Sequence, residues 1–127
     1  MRSKGLDFET VRQIAVSLPE VKEAITKWGW TIRARGRLLA CQPVNRSAEH
    51  DSLVVKIGFE DRARLLSAEP EKFYVTDHYA PYPTVLVRLT KISRARLESV
   101  LKLSWSFVTS DRSAARRSRG KKKEARR

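Results

Sequence analysis

A chain of 127 residues with 27 Lys and Arg against 14 Asp and Glu carries a formal net charge of +13. That length fits one domain with an appendix, large enough to bury a core without staples, while a single cysteine and two histidines exclude an intrachain disulfide and a Cys/His zinc site of recognisable spacing. The opening MRSKGLDFET lacks the apolar run of a secretory signal and no stretch approaches the roughly 18 apolar residues of a membrane span, so a cytoplasmic protein with no membrane role is expected.

Along the chain, Asp7 is placed to cap a helix whose apolar positions Val11, Ile14, Ala15 and Leu18 recur at helical spacing. Leu6 and Val11 are placed as a hydrophobic staple, and Pro19 closes the segment. WGWTIRARGRLLAC then predicts a hairpin: Trp30, Ile32 and Ala34 alternate with Thr31, Arg33 and Arg35, and Gly36 supplies a turn position that tolerates positive φ. Trp28 and Trp30 share strand parity with Ile32, which predicts that both bury against the helices. The returning strand, Leu38 to Cys41, is apolar on both faces and therefore central, with Cys41 read as a small buried hydrophobe.

QPVNRSAEHD is polar, aperiodic and contains Pro43, which predicts a loop, and SLVVKIGF predicts a strand with Leu53, Val55 and Ile57 on one face. A short helix follows Gly58, with Glu60 and Asp61 near its positive end, Ala63, Leu65 and Leu66 available to the core, and Pro70 as its limit. FYVT and TVLVRL predict two more strands, separated by DHYAPYP, whose two prolines forbid regular pairing. Ser93 then opens the longest helix, where Leu97, Val100, Leu101, Ser104, Trp105 and Val108 trace a core-facing stripe. The predicted class is α+β: an antiparallel sheet of about five to six strands with helices on one face, in the order α-β-β-β(-β)-α-β-β-α. Residues 1–110 form the domain and 111–127 a basic tail expected to be disordered.

LPEV at the end of the first helix, RGRLLA, and PEKFYVTDHYAPYPTVLVRL together with Trp105 resemble the MmcQ/YjbR family of small bacterial proteins, over about residues 6–108. After the tryptophan the chain reads SFVTSDRSA, where the family usually has an Ala-Pro-Lys segment. The resemblance implies a fold similar to frataxin-like and secretion-chaperone-like domains, and a DNA-binding role through a double-wing arrangement of hairpins. It does not bring iron binding with it, because that needs an acidic helix and the first helix has only Asp7 and Glu9 near its start.

No catalytic constellation, cofactor or metal is called for: there is no nucleophile elbow, phosphate-cradling glycine loop or compelling carboxylate pair. Asp51, His50, Asp77 and His78 would make an oxygen-rich site only if two loops met in space. His78, with Tyr79 and Tyr82, lies in the most family-like stretch. It is read first as a residue that donates to a backbone carbonyl and pins the Pro-rich connection, and second as a general base or anion contact.

The basic residues are the stronger signal. Arg33 and Arg35, two apart on a strand, would project from one face about 6.6 Å from each other, with Arg37 across the turn. That arrangement suits a wing contacting phosphates, or equally an edge hairpin charged to prevent strand pairing. The tail from Asp111 has nine basic residues, among them Arg112, Arg116, Arg117, Arg119, Lys121, Lys122 and Lys123, and a net charge of +7, leaving +6 on residues 1–110. The expectation is a non-catalytic protein that binds nucleic acid, DNA ahead of RNA, with little sequence preference, as a monomer by default. A protein-interaction or chaperone-like adaptor and a small enzyme near His78 are the alternatives.

Overall fold

The structure, a computed structural model, describes residues 6–110. Its elements are α1 (Phe8–Val16), β1 (Val21–Thr26), β2 (Gly29–Ala34), β3 (Arg37–Cys41), β4 (Ser52–Lys56), α2 (Phe59–Ala68), β5 (Phe73–Tyr74), β6 (Thr84–Arg88) and α3 (Arg94–Thr109). Both anticipated caps form: Asp7 accepts from the Thr10 amide at 2.9 Å and Ser93 from the Arg96 amide at 3.1 Å. Each satisfies an amide that the first helical turn leaves without a partner.

The six strands make one antiparallel sheet in the order β1-β2-β3-β4-β6-β5. Because β4 and β5 both pair antiparallel with β6, they run parallel to each other, and α2 is the crossover such a pair requires. Trp30, Ile32 and Ala34 of β2, Leu53 and Val55 of β4, and Val85 and Val87 of β6 bury on the helix side. They meet Val11, Ile14 and Ala15 of α1 and Leu97, Val100, Leu101 and Val108 of α3. A β-bulge breaks the register beside Ile32 and Arg33, so that Leu39 and Ala40 both join this core. On the other face Val54, Leu86 and Tyr79 form a smaller cluster, with Cys41, Ala48, Tyr74 and Val75 packed against it.

Five points of the sequence reading need correction. Val21–Thr26, which had no assignment of its own, is the edge strand β1. Its inward side carries Val21, packed against the core, and then Glu23, which receives the Arg12 guanidinium (Nε to Oε1, 2.7 Å) and the Trp30 indole N–H (2.8 Å), so a carboxylate interrupts the apolar alternation that would have revealed the strand. Trp30 is buried, edge-on to Phe8 with centroids 5.1 Å apart, but Trp28 is 65% exposed, because β2 begins only at Gly29 and Trp28 belongs to the turn. Ala63 is exposed, leaving Leu65 as the buried residue of α2, and the strand expected over FYVT is only Phe73–Tyr74. Cys41 is half-buried rather than enclosed, and burial pushes its thiol pKa up.

Three carboxylates are held below the usual range by arginines: Glu23 by Arg12, Glu49 by Arg88 and Glu69 by Arg96. Depressed folded values mean that the unfolded chain takes up protons first on acidification. The stabilisation is therefore complete above the ordinary carboxylate range and is lost as pH falls through the lower folded values. Glu69 is the least exposed of the three and its partner Arg96 also lies over the Phe73 ring, so this pair is screened least. Thermal melts from neutral pH into the acid range should show the midpoint falling, and Glu69→Gln should lower it at neutral pH while flattening the acid limb. An unchanged acid limb in that variant would assign the pH dependence elsewhere.

Candidate nucleic-acid interface

The three hairpin arginines do not share a face. Arg35 (φ +52) and Gly36 (φ +81) are the two central residues of a tight turn between the paired Ala34 and Arg37. Positive φ at both positions is the geometry of the type I′ turns that match strand twist. The strand therefore stops at Ala34, and the alternation expected to carry Arg35 beside Arg33 stops with it. Instead Arg35 folds toward the helices: Nε donates to Glu20 at 2.7 Å, its amide donates to the Glu20 carbonyl, and its guanidinium lies 5.7 Å from the Trp105 ring centre. Arg37 reaches the end of α3 and donates to the Val108 carbonyl at 2.8 Å. Arg33, on the face opposite Ile32 and Ala34, stays exposed.

Arg33 and Arg37 nevertheless meet at one place. Where β2 and β4 end and β3 and β6 begin, a groove of about 560 Å³ is lined by Arg33, Arg37 and Lys56 and by Leu38, Phe59 and Phe107, with Gly36, Gly58, Pro83 and Val108 completing it. Gly58, the N-cap of α2, supplies no capping side chain, so the positive end of that helix opens at the groove. Glu60 and Asp61 lie in the same helical turn but do not line it.

Most arginines of the domain are already committed. Arg12, Arg35, Arg64, Arg88 and Arg96 pair with carboxylates, and Arg37 and Arg62 donate to backbone carbonyls. Among the described residues the side chains of Arg33, Arg46 and Arg94 have no hydrogen bond or ion pair, and of these Arg33 alone lines the groove. The reading of this hairpin as a charged sheet edge loses its premise, because β2 and β3 are the second and third of six strands and β1 covers their outer side.

The DHYAPYP connection is pinned by a residue the sequence did not single out. Arg62 of α2 donates to the carbonyls of Tyr82 (3.0 Å), Thr84 (3.1 Å) and Ala80 (3.1 Å), and its guanidinium lies 4.8 Å from the Phe59 ring centre. His78 is exposed, makes no side-chain hydrogen bond among the described residues, and touches Tyr79 edge-on at 4.7 Å. Tyr79 is buried, with its hydroxyl pKa raised by that burial, whereas Tyr82 is exposed. A second groove, of about 550 Å³, is lined by Asp7, Trp28, Glu49, His50 and Asp51 among others, but not by Asp77 or His78. Among the described residues no three His, Cys, Asp or Glu side chains converge as metal ligands. No described helix is long and apolar enough to cross a membrane. Arg112, Arg116, Arg117, Arg119, Lys121, Lys122 and Lys123 lie outside the described residues.

No protein-family model matches the chain, and neither does any curated protein. Among solved structures it is similar to the crystal structure of Deinococcus radiodurans protein DR2400, a protein with a DUF419 domain. The TM-score is 0.66 at 18% identity, over 87% of this chain and 84% of the other. At that identity the likeness is one of fold.

Arg62 makes a direct prediction. Arg62→Ala removes three charge-assisted bonds to one loop and should cost about 1–3 kcal/mol in denaturant unfolding. Amide exchange should accelerate in residues 79–84 while β2 and β3 keep their protection. Uniform acceleration across the sheet would show that Arg62 does not act locally.

Proposed function

We propose that the chain is a non-catalytic DNA-binding protein of the MmcQ/YjbR type, which binds with little sequence preference. DUF419 is that family, and the fold shared with DR2400 agrees with the resemblance in PEKFYVTDHYAPYPTVLVRL. The observation that carries the reading is Arg33, whose side chain has no hydrogen bond or ion pair among the described residues, placed with Arg37 and Lys56 at the groove beside the end of α3. Beyond Ser110 the sequence adds nine basic residues in seventeen. The groove cations position the backbone; the tail supplies affinity through counterion release. Among the described residues α3 carries Arg94 without a side-chain partner, but Arg96 is tied to Glu69 and Lys102 to Glu98, so the helix presents no row of free cations to a major groove.

One observation favours a second reading, a protein partner. β1 is an open sheet edge, Ile25 on it is 77% exposed, and Trp28 stands exposed in the following turn. An edge of this kind accepts an added strand.

Duplex binding across a salt series separates the two. Engagement of five to seven phosphates gives a log–log salt slope of about −5 to −6. Truncation after Ser110 should make that slope shallower without abolishing binding. Arg33→Ala in the full chain should reduce it by about one unit, whereas Arg35→Ala, which breaks the Glu20 contact, should lower stability and leave the slope unchanged. Binding lost entirely on truncation and indifferent to Arg33 would make the tail a bare polycation and turn attention to the β1 edge.

A further inference from the structure

The groove is built for more than phosphate. A site that only neutralised phosphates would need cations on a polar surface, yet here Leu38, Phe59, Pro83 and Phe107 lie between Arg33, Arg37 and Lys56. Phe59 is 50% exposed, and that exposure is maintained although the core is adjacent, since Phe107, which also lines the groove, packs against the core. Arg62 lies over one side of the Phe59 ring, 4.8 Å from its centre, and is not among the residues that line the groove. The volume falls within the range of about 300–1,000 Å³ typical of small-molecule sites. An apolar aromatic floor with a cationic rim suits a ligand carrying a flat ring and an anion on one short unit.

Taking nucleic acid as the ligand, as proposed above, we infer that this groove holds an unpaired nucleotide of a single strand, its base against Phe59 and its phosphates on Arg33 and Arg37. In a duplex the base faces are already stacked on one another and only edges and phosphates are offered, so the apolar floor would gain nothing. In a single strand every base has a free π-face, and stacking it on an aromatic side chain is favourable whatever the base. The chain's own tail is a poor occupant because its net charge has the same sign as the rim. Trp28, although more exposed than Phe59 and approached by Lys27 at 5.1 Å from its ring centre, lies on the second groove, whose lining has Asp7, Glu49 and Asp51 but no lysine or arginine to hold a phosphate.

The test uses the full chain and two oligothymidylates of equal length and equal phosphate number, one intact and one with abasic sites, read by fluorescence anisotropy at roughly 0.2 M salt to weaken the tail's contribution. The intact strand should bind about 5- to 100-fold more tightly than the abasic one. Phe59→Ala should erase that difference while keeping the abasic affinity, and Trp28→Ala should preserve it. Circular dichroism melts establish that both variants remain folded; should Phe59→Ala not fold, Phe59→Leu replaces it, retaining apolar volume without the ring. Oligouridylate in place of oligothymidylate tells whether the strand is RNA or DNA. Equal binding of intact and abasic strands, or a difference lost in Trp28→Ala but not in Phe59→Ala, overturns the inference. Duplex binding that depends on Arg33 leaves the DNA-binding proposal standing in that case, whereas absence of binding to every nucleic acid tested ends both.

Discussion

Leu97, Val100, Leu101 and Val108 bury one stripe of α3 over the middle strands of the sheet, and this contact fixes where everything else can be. A stripe at helical spacing determines which side of α3 faces the sheet. The length of the helix then brings its C-terminal turn to the end of the sheet where β2 turns into β3. Ser104, buried within the stripe, donates to the Leu39 carbonyl and ties the helix to the bulged strand. Trp105 donates to the Pro19 carbonyl at 2.8 Å and so fixes the turn between α1 and β1 as well. The hairpin turn, the start of α2 and the end of α3 converge because each is anchored to this one packed layer.

Convergence explains why the three hairpin arginines part company. A two-residue turn with positive φ at Arg35 is the shortest reversal available, and it leaves no strand geometry to keep Arg35 on the Arg33 side. Glu20, itself at φ +58, and Trp105 stand below that turn and take the Arg35 guanidinium. Arg33 precedes the turn and keeps the face that regular alternation assigns to it. The surface cation is thus separated from the structural one by the turn type rather than by residue chemistry.

What the sequence made legible follows the same division. The caps at Asp7 and Ser93, the α1 and α3 stripes and the inward side of β4 obey fixed periods, and all were readable from residue type and spacing. β1 was not, because the carboxylate of Glu23 stands between Val21 and Ile25 on its inward side, and its partners on α1 and β2, Arg12 and Trp30, are evident only once those elements are packed together. Trp28 was misplaced by the same strand boundary: parity arguments hold only inside a strand, and the turn residue Gly29 (φ +106) begins β2 one residue later. Arg62 carried no signal at all, since a solvent-facing helix arginine and one that holds three loop carbonyls look identical until the loop is in place. For the groove, the sequence announced Arg33 and Arg37 but not Phe59, which reads simply as the first residue of a helix.

The end of α3 raises an electrostatic difficulty for any anion bound beside it, because unpaired carbonyls give a helix C-terminus a partial negative charge. Here two of those carbonyls have donors, Ser110 Oγ to Phe107 and Arg37 to Val108, and Thr109 Oγ1 adds a bond to Trp105 one turn back. The negative end is masked by a hydroxyl and a guanidinium, while across the groove the positive end of α2 has no side-chain cap at Gly58. Backbone dipoles and side chains therefore act with the same sign at this site. Arg37 contributes twice, cancelling the helix end and adding a formal charge, so its removal should harm anion binding more than an exposed arginine's would, and removal of Arg33 tests the charge alone.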